Sequence, residues 1–260
     1  MERSTGYIIG FAAAVCLVCS VLVTSSAVSL KDRQEENKRL DRQKKILTLA
    51  GLMESGADIT SEKIDKLFGD NIEAHVIDLA TGDYDTSVDT AGFDQRKATK
   101  EPASSREAPK NRSGIKRVPN SALIYHVMEN GAPVTLILPI EGKGLWSTLY
   151  GFLALDTDTT TVKGITFYEH GETPGLGGEI ENPSWTRLWP GRKAYDDTWS
   201  PALEVIKGTA GPAETDPHRI DGLAGSTLTS RGVSNLVRFW LGENGFTPYL
   251  ERFRAERSAS

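Results

Sequence analysis

Apolar residues follow four textures along the chain, and each predicts a different kind of element. Residues 4–30 carry no charged side chain, and 7–23 is nearly all apolar. A helix needs about 20 such residues to cross a bilayer, so this stretch predicts a membrane-spanning anchor. From 31 to 52 the pattern turns charged, with Leu40, Ile46, Leu47, Leu49 and Leu52 as a late apolar stripe. That spacing predicts a helix leaving the membrane. Ser61 opens a further helix, with Asp58 and Glu62 near its start and Gly69 as its stop, and 72–79 alternates as a strand does. Residues 80–118 exchange large apolar side chains for Asp, Thr, Ser, Pro, Lys and Arg, which predicts a surface excursion or flexible insert.

The texture from Ser121 onward is β-rich. Strands are expected at 123–128, 134–140, 149–156 and 162–168, separated by turn chemistry at Pro133, Gly142-Lys143-Gly144 and Asp156-Thr157-Asp158. A glycine-rich loop follows at 171–178, then two aromatic segments holding Trp185, Trp189, Tyr195 and Trp199, and a strand at 203–207. A helix is expected at 229–241, where Val233, Leu236, Val237 and Trp240 share one face and Gly242 and Gly245 end it. A short helix at 248–253 closes the chain. The fold class expected is α+β: an N-terminal transmembrane helix followed by a soluble domain with a mainly antiparallel sheet flanked by helices. The expected divisions are an anchor at 1–30, a membrane-proximal region with the insert at 31–120, and the main domain at 121–260.

Composition sharpens this picture in three places. The 260 residues are 38% hydrophobic and 25% charged, which suits an ordinary core, and the net charge of −5 supplies no basic face for nucleic acid. Lysine and arginine cluster at 31–45, where a solvated face or lipid-headgroup contact is expected, and at 96–117, where a solvated surface is expected. Both cysteines, Cys16 and Cys19, lie in the anchor. Their C-x-x-C spacing suits a redox or metal pair, but no second Cys or His pair completes a site, so two small apolar residues of a membrane helix are expected. Ser25-Ser26-Ala27 would suit a signal-peptide cleavage site, yet the apolar run is long for one and Glu2 offsets Arg3, so an uncleaved anchor is expected. Arg3 precedes the span whereas Lys31, Arg33, Lys38, Arg39 and Arg42 follow it; by the positive-inside rule alone, the soluble domain faces the cytoplasm.

Candidate chemistry concentrates in two loops. In Asp221-Gly222-Leu223-Ala224-Gly225-Ser226-Thr227-Leu228-Thr229-Ser230, two glycines permit close backbone approach and four hydroxyls crowd before a helix whose free N–H groups suit a phosphate. The same residues also read as a plain helix start with Ser226 or Thr229 as N-cap, and both alternatives stand at this point. The second loop runs from Glu169 to Ile180 as E-H-G-E-T-P-G-L-G-G-E-I, where Pro174 and the glycines let the chain lie flat against a planar ligand. Trp146 suits stacking on a ring or plain anchoring. His170 suits a hydrogen-bonded structural role better than proton donation. Lys207 could neutralise a ligand's charge. No catalytic residue and no metal site are expected.

D-G-L-A-G-S-T resembles the flavinylation motif D-x-x-(S/T)-G-A-T of the covalent FMN-binding domain family. The resemblance implies a phosphoester between FMN and Thr227, installed by a dedicated flavin transferase. Asp221, Gly225 and Thr227 keep the motif, while Ala224 and Ser226 depart from it, leaving Ser226 as a competing acceptor and Thr229 close by. E-T-P-G-L-G resembles the family's second signature, implying that Glu172, Thr173, Leu176 and Gly177 contact the flavin ring, with Trp146 and Lys207 as further neighbours. The domain resemblance covers roughly 140–243. Beyond it, the anchor, E-T-P-G-L-G-G-E-I-E-N-P-S-W and F-W-L-G-E-N-G-F-T-P-Y-L resemble the family of C-type subunits of Na⁺-translocating NADH:quinone oxidoreductases. The G-type flavin subunit of the Rnf electron-transport complex is the related alternative. A membrane-tethered lipid- or carbohydrate-binding domain without flavin is the alternative of a different class. The C-type resemblance implies an electron-relay role among the other subunits of an inner-membrane complex that reduces ubiquinone and exports Na⁺. It also implies a periplasmic soluble domain, against the charge count.

Overall fold

The structure, a computed structural model, describes residues 4–54 and 56–259. Arg3 and Glu2, weighed above for topology, lie outside them. The chain divides into two compact units, 1–42 and 43–260. The expected anchor and charged helix are one continuous helix, α1, Thr5–Leu49. No Gly or Pro falls between 11 and 49 to break it, so the change from apolar to charged surface alters the helix's environment and not its backbone. Its apolar stretch is long enough to cross a membrane and is unburied.

In the second unit the elements run α2 (Ser61–Asn71), β1 (Ile72–Asp78), α3 (Gln95–Lys100), β2 (Ser105–Glu107), β3 (Arg117–Pro119), β4 (Ser121–Glu129), β5 (Ala132–Lys143), β6 (Thr148–Asp156) and β7 (Val162–Glu169). They continue with a 3-10 turn (Gly177–Glu181), α4 (Pro183–Thr186), β8 (Glu204–Val205), β9 (Arg219–Ile220), α5 (Thr227–Trp240) and α6 (Thr247–Ala259). Five strands form one antiparallel sheet in the order β1-β4-β5-β6-β7. The α+β class is as expected, and the four strands β4 to β7 lie where alternation and turn residues placed them.

Period-2 alternation sorts the sheet's two faces. On one face Leu138 pairs with Leu153 and Leu153 with Ile165, all buried with Val233, Leu236, Val237 and Trp240 of α5. Burying a side chain such as Leu236 contributes about 1.5–3 kcal/mol. Trp240 Nε1 also donates to the Glu141 carbonyl at 2.7 Å, which fixes α5 along β5. On the opposite face Tyr125, Ile137, Ala154 and Gly164 form one cross-strand row. Phe68 of α2 meets Tyr125 edge-on, and a Cβ on Gly164 would sit 2.7 Å from Leu49.

Six expectations differ from what is found. Gly69 does not stop α2, which runs to Asn71 and passes directly into β1. The strand expected at 203–207 is only two residues long, and the closing helix extends well past 253. β1 belongs to the main sheet, so the chain divides near residue 42 and not at 120. The segment 80–118 is built, with Ser105, Ser113, Ile115 and Val118 all buried. Side-chain hydrogen bonds do there what apolar burial does elsewhere. Asp94 accepts from the N–H groups of Arg96 and Lys97 to cap α3. Arg117 donates to the Ser105 hydroxyl and carbonyl, and Asn111 bonds Pro109, Ser113 and Ile115. The basic residues of this segment are not merely solvated: Arg96 lies 3.5 Å over the Tyr150 ring and pairs with Glu169 at 2.8 Å.

Candidate functional site

The motif at 221–227 forms a tight loop leading into α5. A Cβ on Gly222 would fall 2.2 Å from the Ile206 carbonyl, so the loop can pass there only without a side chain. Gly225 takes φ +71, a left-handed conformation that favours glycine. The Asp221 carboxylate accepts from Ala210 N–H at 2.8 Å, and its carbonyl accepts from Trp185 Nε1 at 2.9 Å. Asp221 therefore shapes the loop. Ser226 holds the N-cap position but makes no side-chain capping bond. Ser226 is buried, whereas Thr227, the first helical residue, is exposed. Ser226 is thus not spent on capping, the Thr229 and Ser230 hydroxyls are bonded to Glu172 and to Leu223 N–H, and Thr227 is the exposed hydroxyl residue at the helix start.

Glu172 organises the surroundings. Its carboxylate, on a residue only 5% exposed, accepts from the N–H groups of Leu145 (3.2 Å), Trp146 (2.9 Å) and Ser147 (3.2 Å) and from Thr229 Oγ1 (2.6 Å). Burial pushes this carboxyl's pKa up, but the Thr229 hydroxyl and the three N–H groups outweigh that and hold it below the ordinary value. Glu172 and Thr229 are therefore occupied with each other and with the 145–147 turn. Gly177 is needed at this junction, since a Cβ there would lie 2.6 Å from Thr229 Oγ1 and 2.9 Å from Glu172 Oε2. His170 Nδ1 accepts from Glu172 N–H at 3.1 Å, which places the ring proton on Nε2, 2.9 Å from Glu181 Oε1. That is the structural role expected of it. The exposed Thr173 contributes its carbonyl to the N–H groups of Leu176 and Gly178.

This clamp gathers an apolar surface. Among the described residues outside α1, the large hydrophobics left exposed are Leu145, Trp146, Leu176 and Leu228. Leu145 and Trp146 hang from the Glu172 carboxylate, Leu228 follows Thr227, and Leu176 Cδ2 lies 3.0 Å from where a Gly225 Cβ would be. Leu145 and Leu228 were missed in the sequence. The signal for Leu228 was its position off the buried stripe of α5. A cleft of about 690 Å³ is lined by Thr227, Asp221, Gly225 and Lys207, with Arg112 and Arg231 also on its walls.

These features fit a flavin mononucleotide. A flat apolar ring system needs exposed apolar side chains beside it, and a phosphate needs a free hydroxyl or N–H groups with positive charge nearby. Residues 144–242 match the FMN-binding domain family. The C-type subunit of the Na(+)-translocating NADH-quinone reductase of Pseudomonas aeruginosa is 47% identical over 256 residues, covering 97% of each chain. The chain belongs to the NqrC family, the C-type subunits of Na(+)-translocating NADH-quinone reductases. The Vibrio vulnificus member is 43% identical over 98% of this chain and 96% of its own length. The crystal structure of Shewanella oneidensis NqrC superposes with a TM-score of 0.78 at 33% identity, over 84% of this chain and 99% of that one. The family places this chain as a flavin subunit within an assembly of other subunits.

Proposed function

We propose that the chain is the electron-relay subunit of a Na⁺-translocating NADH:ubiquinone reductase, carrying FMN on Thr227 through a phosphoester. The observation that carries this is the exposed Thr227 at the start of α5, beside the exposed group of Leu145, Trp146, Leu176 and Leu228. Bound FMN would supply reversible one- and two-electron chemistry. The residues of the chain do the rest. Thr227 Oγ1 forms the bond to phosphorus, and the adduct equals chain plus FMN less one water. Leu176 and Trp146 shield the ring from water on the side they cover, while Leu145 and Leu228 extend that apolar wall. Glu172, Thr229 and Gly177 hold the wall and the acceptor helix at fixed spacing.

Within the complex the relay passes electrons between neighbouring redox centres, and the complex as a whole couples that flow to Na⁺ export. A flavin transferase installs the cofactor, and α1 holds the chain in the lipid bilayer of the inner membrane. The soluble unit faces the periplasm. A covalent bond has its clearest use there, because FMN is made in the cytoplasm and a cofactor lost outside is not readily replaced. A denaturing gel viewed under ultraviolet light tests the attachment. A fluorescent band is expected from the wild-type chain and none from Thr227→Ala; a band that survives the substitution would place the bond elsewhere.

A further inference from the structure

The cleft beside Thr227 carries more positive charge than its surroundings explain. Four basic and two acidic side chains line it, an excess of two positive charges in a chain whose net charge is −5. Arg238 is paired with Glu204 at 3.0 Å, and Asp221 is held by Ala210 N–H. Arg112, Lys207 and Arg231 are all exposed and form no ion pair and no side-chain hydrogen bond among the described residues. Each comes from a different element. Lys207 comes from the loop after β8. Arg231 sits one turn along α5 from Thr227, where residues four apart share a face.

Arg112 comes from outside the matched domain, in the segment the sequence marked as a flexible insert. Its placement is built. Its carbonyl accepts from Asn235 Nδ2 of α5 at 3.2 Å. The next residue, Ser113, is 1% exposed, and its carbonyl accepts from Lys143 N–H at 2.7 Å. Gly114 follows at φ +68, where a Cβ would lie 2.9 Å from Lys143 Cβ. The insert thus braces both the β5 end of the 145–147 turn and the acceptor helix, and it delivers a free guanidinium to the cleft.

We infer that Arg112, Lys207 and Arg231 form a phosphate seat that recognises the flavin's phosphate before and after the bond to Thr227, so that the chain selects a phosphorylated flavin over riboflavin. Three unpaired cations lining one cleft suit charge-assisted hydrogen bonding to an oxyanion bound in it, with the arginines adding fork geometry. The site would then extend beyond the FMN-binding domain as matched, and a domain trimmed to 144–242 would lack one of its three cations. This inference rests on the FMN reading above, and the two fail separately.

The test uses the full chain in detergent with Thr227→Val, which removes the acceptor hydroxyl, and measures binding of FMN and of riboflavin by quenching of flavin fluorescence. FMN is expected to bind about tenfold or more tighter than riboflavin at low salt. Arg112→Glu, Arg231→Glu and raised salt should each pull the two affinities together, while Arg112→Lys should keep most of the preference. Equal binding of the two flavins would overturn the seat. So would no measurable binding of either while the wild-type chain still acquires the FMN mass in cells. A wild-type chain that acquires no flavin would overturn the FMN reading itself. To separate a local effect from misfolding, the Arg112→Glu chain is checked for an unchanged circular dichroism melt, as befits an exposed side chain; a lost preference accompanied by a lowered melt would count against the seat.

Discussion

Glu172→Gln is the most informative single change to the scaffold. The carboxylate receives four hydrogen bonds, two at each oxygen: Trp146 and Ser147 N–H at Oε1, Leu145 N–H and Thr229 Oγ1 at Oε2. An amide keeps one acceptor oxygen. Its better orientation leaves that oxygen facing Trp146 and Ser147, and turns the NH₂ toward Leu145 and Thr229. The Thr229 hydroxyl can rotate to accept, but the Leu145 N–H is left without a partner, and the two retained bonds lose their charge assistance. One orphaned donor and two weakened bonds cost about 2–3 kcal/mol. For a unit of this size that lowers the melting temperature by roughly 4–12 °C. Circular dichroism of the full chain in detergent without flavin reads it.

The pH dependence supplies a second check on Glu172. Its folded pKa lies below the unfolded value of about 4.3, so its contribution is fully present above that value and is lost as pH falls through the folded pKa. The gap between wild type and Glu172→Gln should therefore be constant near neutrality and narrow in acid. A melting temperature within about a degree of wild type, or a gap unchanged in acid, would refute the clamp.

Three other outcomes follow from the same geometry. Gly177→Ala should destabilise the clamp by about 1–3 kcal/mol because its Cβ meets Thr229 and Glu172 below 3.0 Å. Gly175→Ala, at φ +75 with open space around it, should show only the backbone cost of about 1 kcal/mol; equal melting temperatures for the two would contradict the packing. His126, bonded through Nε2 to the Tyr249 hydroxyl at 2.6 Å, has its pKa pushed down to about 4 by burial and then by His75. The unfolded chain takes up that proton near pH 6.5, so stability should fall by up to about 3 kcal/mol as pH drops from 6.5 toward 4. His126→Gln should flatten that fall in a pH series of melts. On intact spheroplasts, added protease should digest the soluble unit; protection would place it in the cytoplasm, as the five basic residues from Lys31 to Arg42 would have it.

Much of the fold was legible because β4 to β7 alternate cleanly between Gly, Pro and Asp turns, and because α5 carries one apolar face. The insert was not legible, since Asp94, Asn111 and Arg117 order it through hydrogen bonds that leave no hydrophobic period. At the site, the two glycine motifs could be read directly and paired by resemblance. What each residue does there could not. Glu172 and Thr229, both expected near the flavin, are 57 positions apart and bonded to each other. Nothing local in either motif announces that bond. Arg112 was passed over for the same reason: its segment looked solvated until Asn235 and Lys143 were seen to hold it.

The central claim is a phosphoester at Thr227, and intact mass spectrometry of the full chain, followed by peptide mapping, tests it most directly. The expected result is one added mass of FMN less water, confined to the peptide containing Thr227 and absent from Thr227→Ala. An unmodified wild-type chain from cells competent to load it, or the same added mass on the Thr227→Ala chain, would contradict the account.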